Sequence, residues 1–325
     1  MVKQLSITLL LIISATLSIS AATPSTTDTI ELIPYGDMEQ WCVRYIEESK
    51  LLGGKTKQLY VLAPTDTIRA NEAFDYSKTI WGISNAYANV IGIAKAACTT
   101  QPEPRLGGGT CARLDTRIET VRVLGMVDIQ VCIAGTLFLG AVNEPVRSAN
   151  DPYGSIDMGI PFTRRPKAVM LDLKARVDPT HKVVKALGLG RSIIDGHDEP
   201  EVYVYLQRRW EDADGNVMAE RIGTARHRFQ YSIPDWHNDY RVDINYGDVT
   251  KHPSYKSYMG LFPAGGVFKT RNSKGKMVEI KEVDYCTDPN VSPTHVILMI
   301  TGGCYPAFYG APGNALWVDN VRWVF

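Results

Sequence analysis

The sequence predicts an all-β protein built as a β-sandwich, and three observations carry that prediction. Short runs rich in β-branched and aromatic residues recur along the chain, Gly, Pro, Asn and Asp stand between them, and helical periodicity is scarce. Many short strands with regular turn signals are the mark of sandwiches and barrels.

Taken in order, residues 30–33 (IELI) open the series of strands. Residues 38–52 (MEQWCVRYIEESKLL) are the best helix candidate, and 85–97 (NAYANVIGIAKAA) the second, so one or two short helices are expected. Strand signals run through 57–64, 117–125, 128–140, 167–177, 201–212, 218–229, 240–247, 276–285 and 294–303. Residues 201–223 read as a hairpin turning around Asp214-Gly215-Asn216. Residues 234–240 (PDWHNDY), with Asp235, Trp236, His237 and Asp239, read as a polar loop between strands. The chain closes on ALWVDNVRWVF, residues 315–325. No linker or internal repeat divides the chain, so residues 30–325 are read as one elaborated domain.

The N-terminus has the marks of export. Lys3 gives a positive start, Leu5 to Ile19 form a short apolar core, and Ser20-Ala21-Ala22 fits a small-residue cleavage site. Residues 1–22 are read as a signal peptide and 23–29 as a polar leader. No Cys stands near the cleavage site, so a lipoprotein is not expected, and location is periplasmic or at the cell surface. No later apolar run reaches the roughly 20 residues of a membrane span. Net charge is zero, which argues against nucleic acid as a partner.

Export permits disulfides. Of six cysteines, Cys98 and Cys111 bracket the loop TTQPEPRLGGGT and are placed to staple it. None has metal-ligand spacing. Cys132, inside an apolar run, reads as a small buried hydrophobe.

The closing strand poses a question. With period two, Trp317, Asp319, Val321, Trp323 and Phe325 share one face, apolar but for a single carboxylate. An unpaired buried carboxylate is very costly. If the first and last strands lie side by side, Glu39 of PYGDMEQW approaches Asp319, and two adjacent carboxylates need a cation or a proton. A structural Ca²⁺ held by Glu39 and Asp319 is the expectation. The alternative is that Asp319 accepts hydrogen bonds at the sandwich edge or reaches water.

Five segments, in order, resemble the putative carbohydrate metabolism domain (PCMD) family of exported Bacteroides-type proteins. They are WGISN (81–85), GTCARLDT (109–116), AGTLFLG (134–140), GIPFTRRP (159–166) and LWVDNV (316–321). The resemblance implies a jelly-roll sandwich like those of carbohydrate-binding modules, and a role in glycan use. Ser84 stands where the family has Gly, and the cysteines and the 99–110 loop are departures from its pattern.

Sugar binding uses aromatic rings stacked on pyranose faces, ringed by hydrogen-bonding side chains. Trp81, Trp236, Tyr305, Phe308 and Tyr309 stand in Gly-, Pro- or Asn-rich surroundings and are the ligand-binding candidates. Trp317 and Trp323 are read as core. For catalysis, a glycosidase needs two carboxylates flanking one bond. Asp198 and Glu199 are the candidates, beside Asp195 and Glu201 in IIDGHDEPEV. GxSxG and HExxH are absent, and GGKT (53–56) lacks the phosphate-loop glycine at Ser49. The expectation is an exported, non-catalytic, monomeric protein that binds oligo- or polysaccharide, with no cofactor beyond calcium. The alternatives are a glycoside hydrolase or other glycan-acting enzyme, and a structural or adhesive, protein-binding sandwich.

Overall fold

The computed structural model describes residues 28–123, 127–148, 151–263, 265 and 267–325. The signal peptide and most of the polar leader lie outside the described residues. Among them, no helix is long and apolar enough to cross a membrane.

The chain is an all-β sandwich of two main sheets. The six-stranded sheet runs in the order Ile233–Asp243, Ala168–Arg176, Ala315–Val324, Thr110–Asp115, Thr100–Pro104, with Ile30–Leu32 also on the closing strand. First and last strands therefore do pair, Ile30 opposite Val324. The ten-stranded sheet centres on His295–Thr301, Glu201–Glu211 and Val217–Arg228. Alternation decides which side chains meet between the sheets. Val169, Leu171 and Leu173 face Val202, Val204, Leu206, Leu298 and Ile300 in the largest buried cluster, which draws on residues from Ile33 to Trp323. Truncating one of these, such as Leu298, costs about 2–5 kcal/mol.

The intervening residues Tyr203 and Tyr205 point to the opposite side of the ten-stranded sheet. There Phe262 and Phe268, from the segment after Val249–Lys251, cover them in a second cluster. Burial on both faces explains why residues 201–207 are buried without a break.

Both expected helices are strands. Residues 41–47 form a strand paired with Thr56–Leu62, and only a 3-10 turn, Lys50–Leu52, follows it. Cys42, Arg44 and Ile46 are buried, an alternation hidden by the apolar residues between them. Residues 85–97 form the hairpin Ala86–Val90/Ile93–Ala97, turning at Ile91-Gly92 with φ of 51° and 78°. Gly92 supplies the left-handed turn and ends any helical run. The described helical elements are four 3-10 turns of three residues each.

The face assignment of the closing strand is also corrected. Met170 pairs with Arg322 and Asp172 with Asp319, two steps on one strand against three on its neighbour. The extra residue sits at Asn320, whose φ is 50°. Asn tolerates this left-handed conformation better than most residues. A bulge of this kind reverses the alternation. Leu316 and Val318 point into the core before it, Val321 and Trp323 after it. Trp317 thus packs outside the main core with Cys111, Ala315 and Trp236. Asp319 lies on that same outer face.

The 234–240 segment is no loop. It lies inside the polar strand Ile233–Asp243, with register shifts against Ala168–Arg176 and Asp239 at φ 57°. Much of it is exposed, so neither face carries an apolar pattern.

The six cysteines are free. Cys98 and Cys111 cannot staple their loop because it is itself a hairpin. Cys111 stands opposite Glu103 and Thr100 opposite Leu114. Cys98 is five residues along from Glu103, about 16 Å at the rise of a strand, and Cα atoms of a disulfide lie within about 7 Å. Cys111 Sγ instead donates to Glu103 O.

Candidate functional site

The carboxylate of Asp319 meets Arg105. That arginine follows the strand Thr100–Pro104, where the chain turns through Gly107, Gly108 and Gly109, all at positive φ. Side chains rarely adopt three such conformations in a row. A Cβ on Gly109 would also sit 2.5 Å from Glu39 Oε1. The turn delivers Arg105 onto the outer face of the six-stranded sheet. There one guanidinium nitrogen binds Asp319 and also Asp172 Oδ2 at 2.9 Å. A second donates to Asn238 Oδ1 at 2.7 Å, and the group lies over the Trp236 ring, 4.2 Å from its centroid.

Two bulges flank Asp172, one on each neighbouring strand, and both serve it. Asp239 N donates to Asp172 Oδ1 at 3.0 Å, Asn320 Nδ2 to Oδ2 at 2.9 Å, and Arg322 to Oδ1 at 2.7 Å. The two carboxylates are driven apart in acidity. Burial raises Asp319, and Arg105 with Asn320 N only partly offsets it. Burial also opposes ionisation of Asp172, but the Asp239 amide, Asn320, Arg105 and Arg322 together hold it below the usual range.

Glu39 and Asp319 do line one cleft, of about 330 Å³, with Asp37 and Arg105. Glu39 Oε1 accepts from Thr110 N at 2.8 Å. The cation that the strand pattern demands beside Asp319 is thus a guanidinium. Among the described residues no group of three or more His, Cys, Asp or Glu is arranged to hold a metal.

The candidate aromatics go to different places. Trp81 is fully buried and its Nε1 donates to Pro34 O at 2.7 Å, which makes it a core residue. Trp236 carries Arg105 on its ring and packs against the Trp317 cluster. Tyr305, Phe308 and Tyr309 are half-buried in the loop 303–311, with Lys185 Nζ 5.3 Å from the centre of the Tyr309 ring.

Asp198 holds that loop in place. Its oxygens accept from Cys304 N and Ala311 N, both at 2.8 Å, and from Asn314 Nδ2 at 3.3 Å. Only 2% of the residue is exposed, and a Cβ on Gly303 would lie 2.6 Å from its carboxylate. Burial raises its pKa, opposed by those amides. Its environment is that of a structural anchor. Glu199 is 9% exposed, with Oε1 3.2 Å from His197 Nδ1. Asp195 is exposed and pairs with Lys182.

A larger cleft, about 770 Å³, opens where the end of Val217–Arg228 meets the end of Ile233–Asp243. The hairpin register builds its floor. Glu201 stands opposite Arg228, and Tyr203 opposite Arg226, so all four project to one side. Arg226 binds Glu201 through two bonds of 2.7 and 2.9 Å, and Arg228 Nε adds a third at 2.8 Å. The segment 252–259 closes one wall. Arg226 donates to Tyr258 O at 2.6 Å, and the Arg228 guanidinium lies 4.2 Å from the centre of the Tyr258 ring. His252, Ser254 and Lys256 continue this wall, with Gln230, Tyr231 and Asn245 opposite. Tyr231 is 80% exposed. His227, bonded through Nε2 to Tyr240 Oη at 2.8 Å, has its pKa lowered by burial, with Glu199 opposing.

The sequence reading missed this cleft. Its one legible signal was Arg-His-Arg (226–228) in a strand whose hairpin partner begins with Glu201. The register that joins them passes a bulge between Leu206 and Gln207, invisible in the sequence.

Among the solved structures similar to this chain are two from Bacteroides species. One is described as a "putative glycoside hydrolase" from Bacteroides thetaiotaomicron VPI-5482, with TM-score 0.44 and 15% identity over 86% of this chain and 70% of that one. The other has the same description, from Bacteroides vulgatus ATCC 8482, with TM-score 0.43 and 14% identity over 90% of this chain and 94% of that one. No curated protein matches the chain. Residues 57–174 match the family model described as "Putative carbohydrate metabolism domain", the family whose motifs residues 81–166 resemble.

Proposed function

We propose that this protein is an exported, non-catalytic glycan-binding protein, and that the 770 Å³ cleft is its binding site. The observation that carries the proposal is the cleft's make-up. It is open and wide enough for a sugar unit or two. It presents the Tyr231 ring to solvent and the Tyr258 ring beside Arg228, among Gln230, Asn245, His252 and Ser254. Rings with hydrogen-bonding neighbours are what pyranose recognition requires. The carbohydrate family match over residues 57–174 supports a carbohydrate role for the chain, the cleft lining lying outside the matched span.

Two of the carboxylates in residues 195–201 favour binding over hydrolysis. Glu201 is held by two guanidiniums and Asp198 by backbone amides, whereas a glycosidase needs one carboxyl free to give a proton and another free to attack or activate water. The test is electrophoresis of the full chain through native gels containing polysaccharides, with each mixture then assayed for reducing sugar. Retardation without release is expected, and Tyr231→Ala and Tyr258→Ala should reduce it. Release of sugar makes the protein a glycan-cleaving enzyme, and absence of retardation on every polymer removes the glycan reading.

A further inference from the structure

We infer that the cleft recognises acidic glycans, through a carboxylate or sulfate ester carried on the sugar. This rests on the glycan-binding reading above and adds the charge of the ligand. Glu201 is one carboxylate shared by two guanidiniums, so one positive charge is left over. That excess is presented by Arg228. Its Nε is anchored on Glu201 and its plane lies over Tyr258, while its two terminal nitrogens make no hydrogen bond to any described residue. A guanidinium fixed at one edge with the other edge free matches a planar carboxylate or a sulfate in two-pronged fashion. Lys256, exposed on the adjoining wall, has no ion pair among the described residues and adds a second uncompensated cation.

Glu199, whose charge acts on Tyr258 and His227, offsets one of these two, so one positive charge remains over Arg226, Arg228, Lys256, Glu201 and Glu199. Arg241 and Lys167 balance Asp28 and Asp243: Asp28 pairs with Arg241 at 2.9 Å and Lys167 at 2.7 Å, and Asp243 with Arg241 at 2.6 Å. Complementary potential steers an anionic ligand and selects against neutral ones.

The test uses the full chain in affinity gels with two matched pairs. Polygalacturonate is compared with its carboxyl-reduced form, and a sulfated galactan with its desulfated form. Retardation by one acidic polymer and not by its neutral partner is expected, and the pair that responds identifies the anion. Arg228→Gln should weaken that binding about tenfold or more. Lys256→Gln, which disturbs no internal contact, should weaken it about threefold. Lys50→Gln, the same charge change on the 3-10 turn Lys50–Leu52, should leave it unchanged. Equal retardation by charged and neutral partners overturns this inference and leaves glycan binding standing. Equal weakening by Lys50→Gln makes the effect one of bulk charge and also overturns it. Absence of retardation on all four polymers removes both.

Discussion

Replacing Arg105 by Gln tests the account of Asp319 directly. The substitution leaves Asp172 and Asp319, paired across neighbouring strands, without the cation that joins them. Removing one partner of a fully buried pair costs about 3–5 kcal/mol. Here the Arg105 side chain is 14% exposed, and Asp172 keeps Arg322, Asn320 and the Asp239 amide. The loss should therefore be about 2–3 kcal/mol. For a chain of this length that corresponds to a fall in Tm of about 4–6 °C. The pH dependence has a definite sign. Burial already holds Asp319 above the usual carboxylate range, and loss of Arg105 raises it further. A carboxyl raised on folding destabilises the fold while ionised, and the penalty disappears as pH falls through its folded pKa. The gap between variant and native protein should thus be widest near neutrality and narrow toward pH 5. Asp172, held low, stabilises the native fold at neutral pH and loses that contribution only in more acidic solution, below the ordinary value of about 3.9. Scanning calorimetry of both proteins from pH 7.5 to 5 measures this. An Asp319→Asn background should cut the cost of Arg105→Gln to below about 1 kcal/mol. The same cost in both backgrounds, or a gap that ignores pH, would refute the ion-pair account.

Other consequences follow from the same geometry. Asp198→Asn places a donor against the amides of Cys304 or Ala311, and urea unfolding should show a loss of about 1–3 kcal/mol, with faster hydrogen exchange at those two amides. Trp81→Phe removes the bond to Pro34 O and should lower stability by about 1–2 kcal/mol. Its retardation in glycan gels should stay native, and any weakening there would contradict the core position of Trp81. EDTA, or calcium added afterwards, should leave Tm unchanged, because Arg105 already compensates Asp319. A calcium-dependent rise would mean that Glu39 and Asp319 hold the ion as well.

Some of this was legible in the chain. β-branched runs punctuated by turn residues specify strands through local sterics, so residues 167–177, 201–212, 218–229 and 294–303 appear where the pattern puts them. An isolated carboxylate in an apolar strand must be compensated, and Asp319 required a partner on that ground alone. Only the tertiary structure could say which. Arg105 lies 214 residues away in sequence, in a Gly-rich turn that carries no apolar pattern. The bulge at Asn320 reversed the strand's faces because one residue at positive φ shifts a period of two by one step. The helix expectations failed because a hydrophobic pattern that suits a helix also suits a strand once a partner strand supplies its hydrogen bonds. The cleft depends on the register of one hairpin and on the segment 252–259 folding across it, and long-range contacts of that kind leave no local trace. Local chemistry thus determined the sandwich and the need for a cation at Asp319, whereas the identity of that cation and the place of the cleft were decided by which distant strands came to lie side by side.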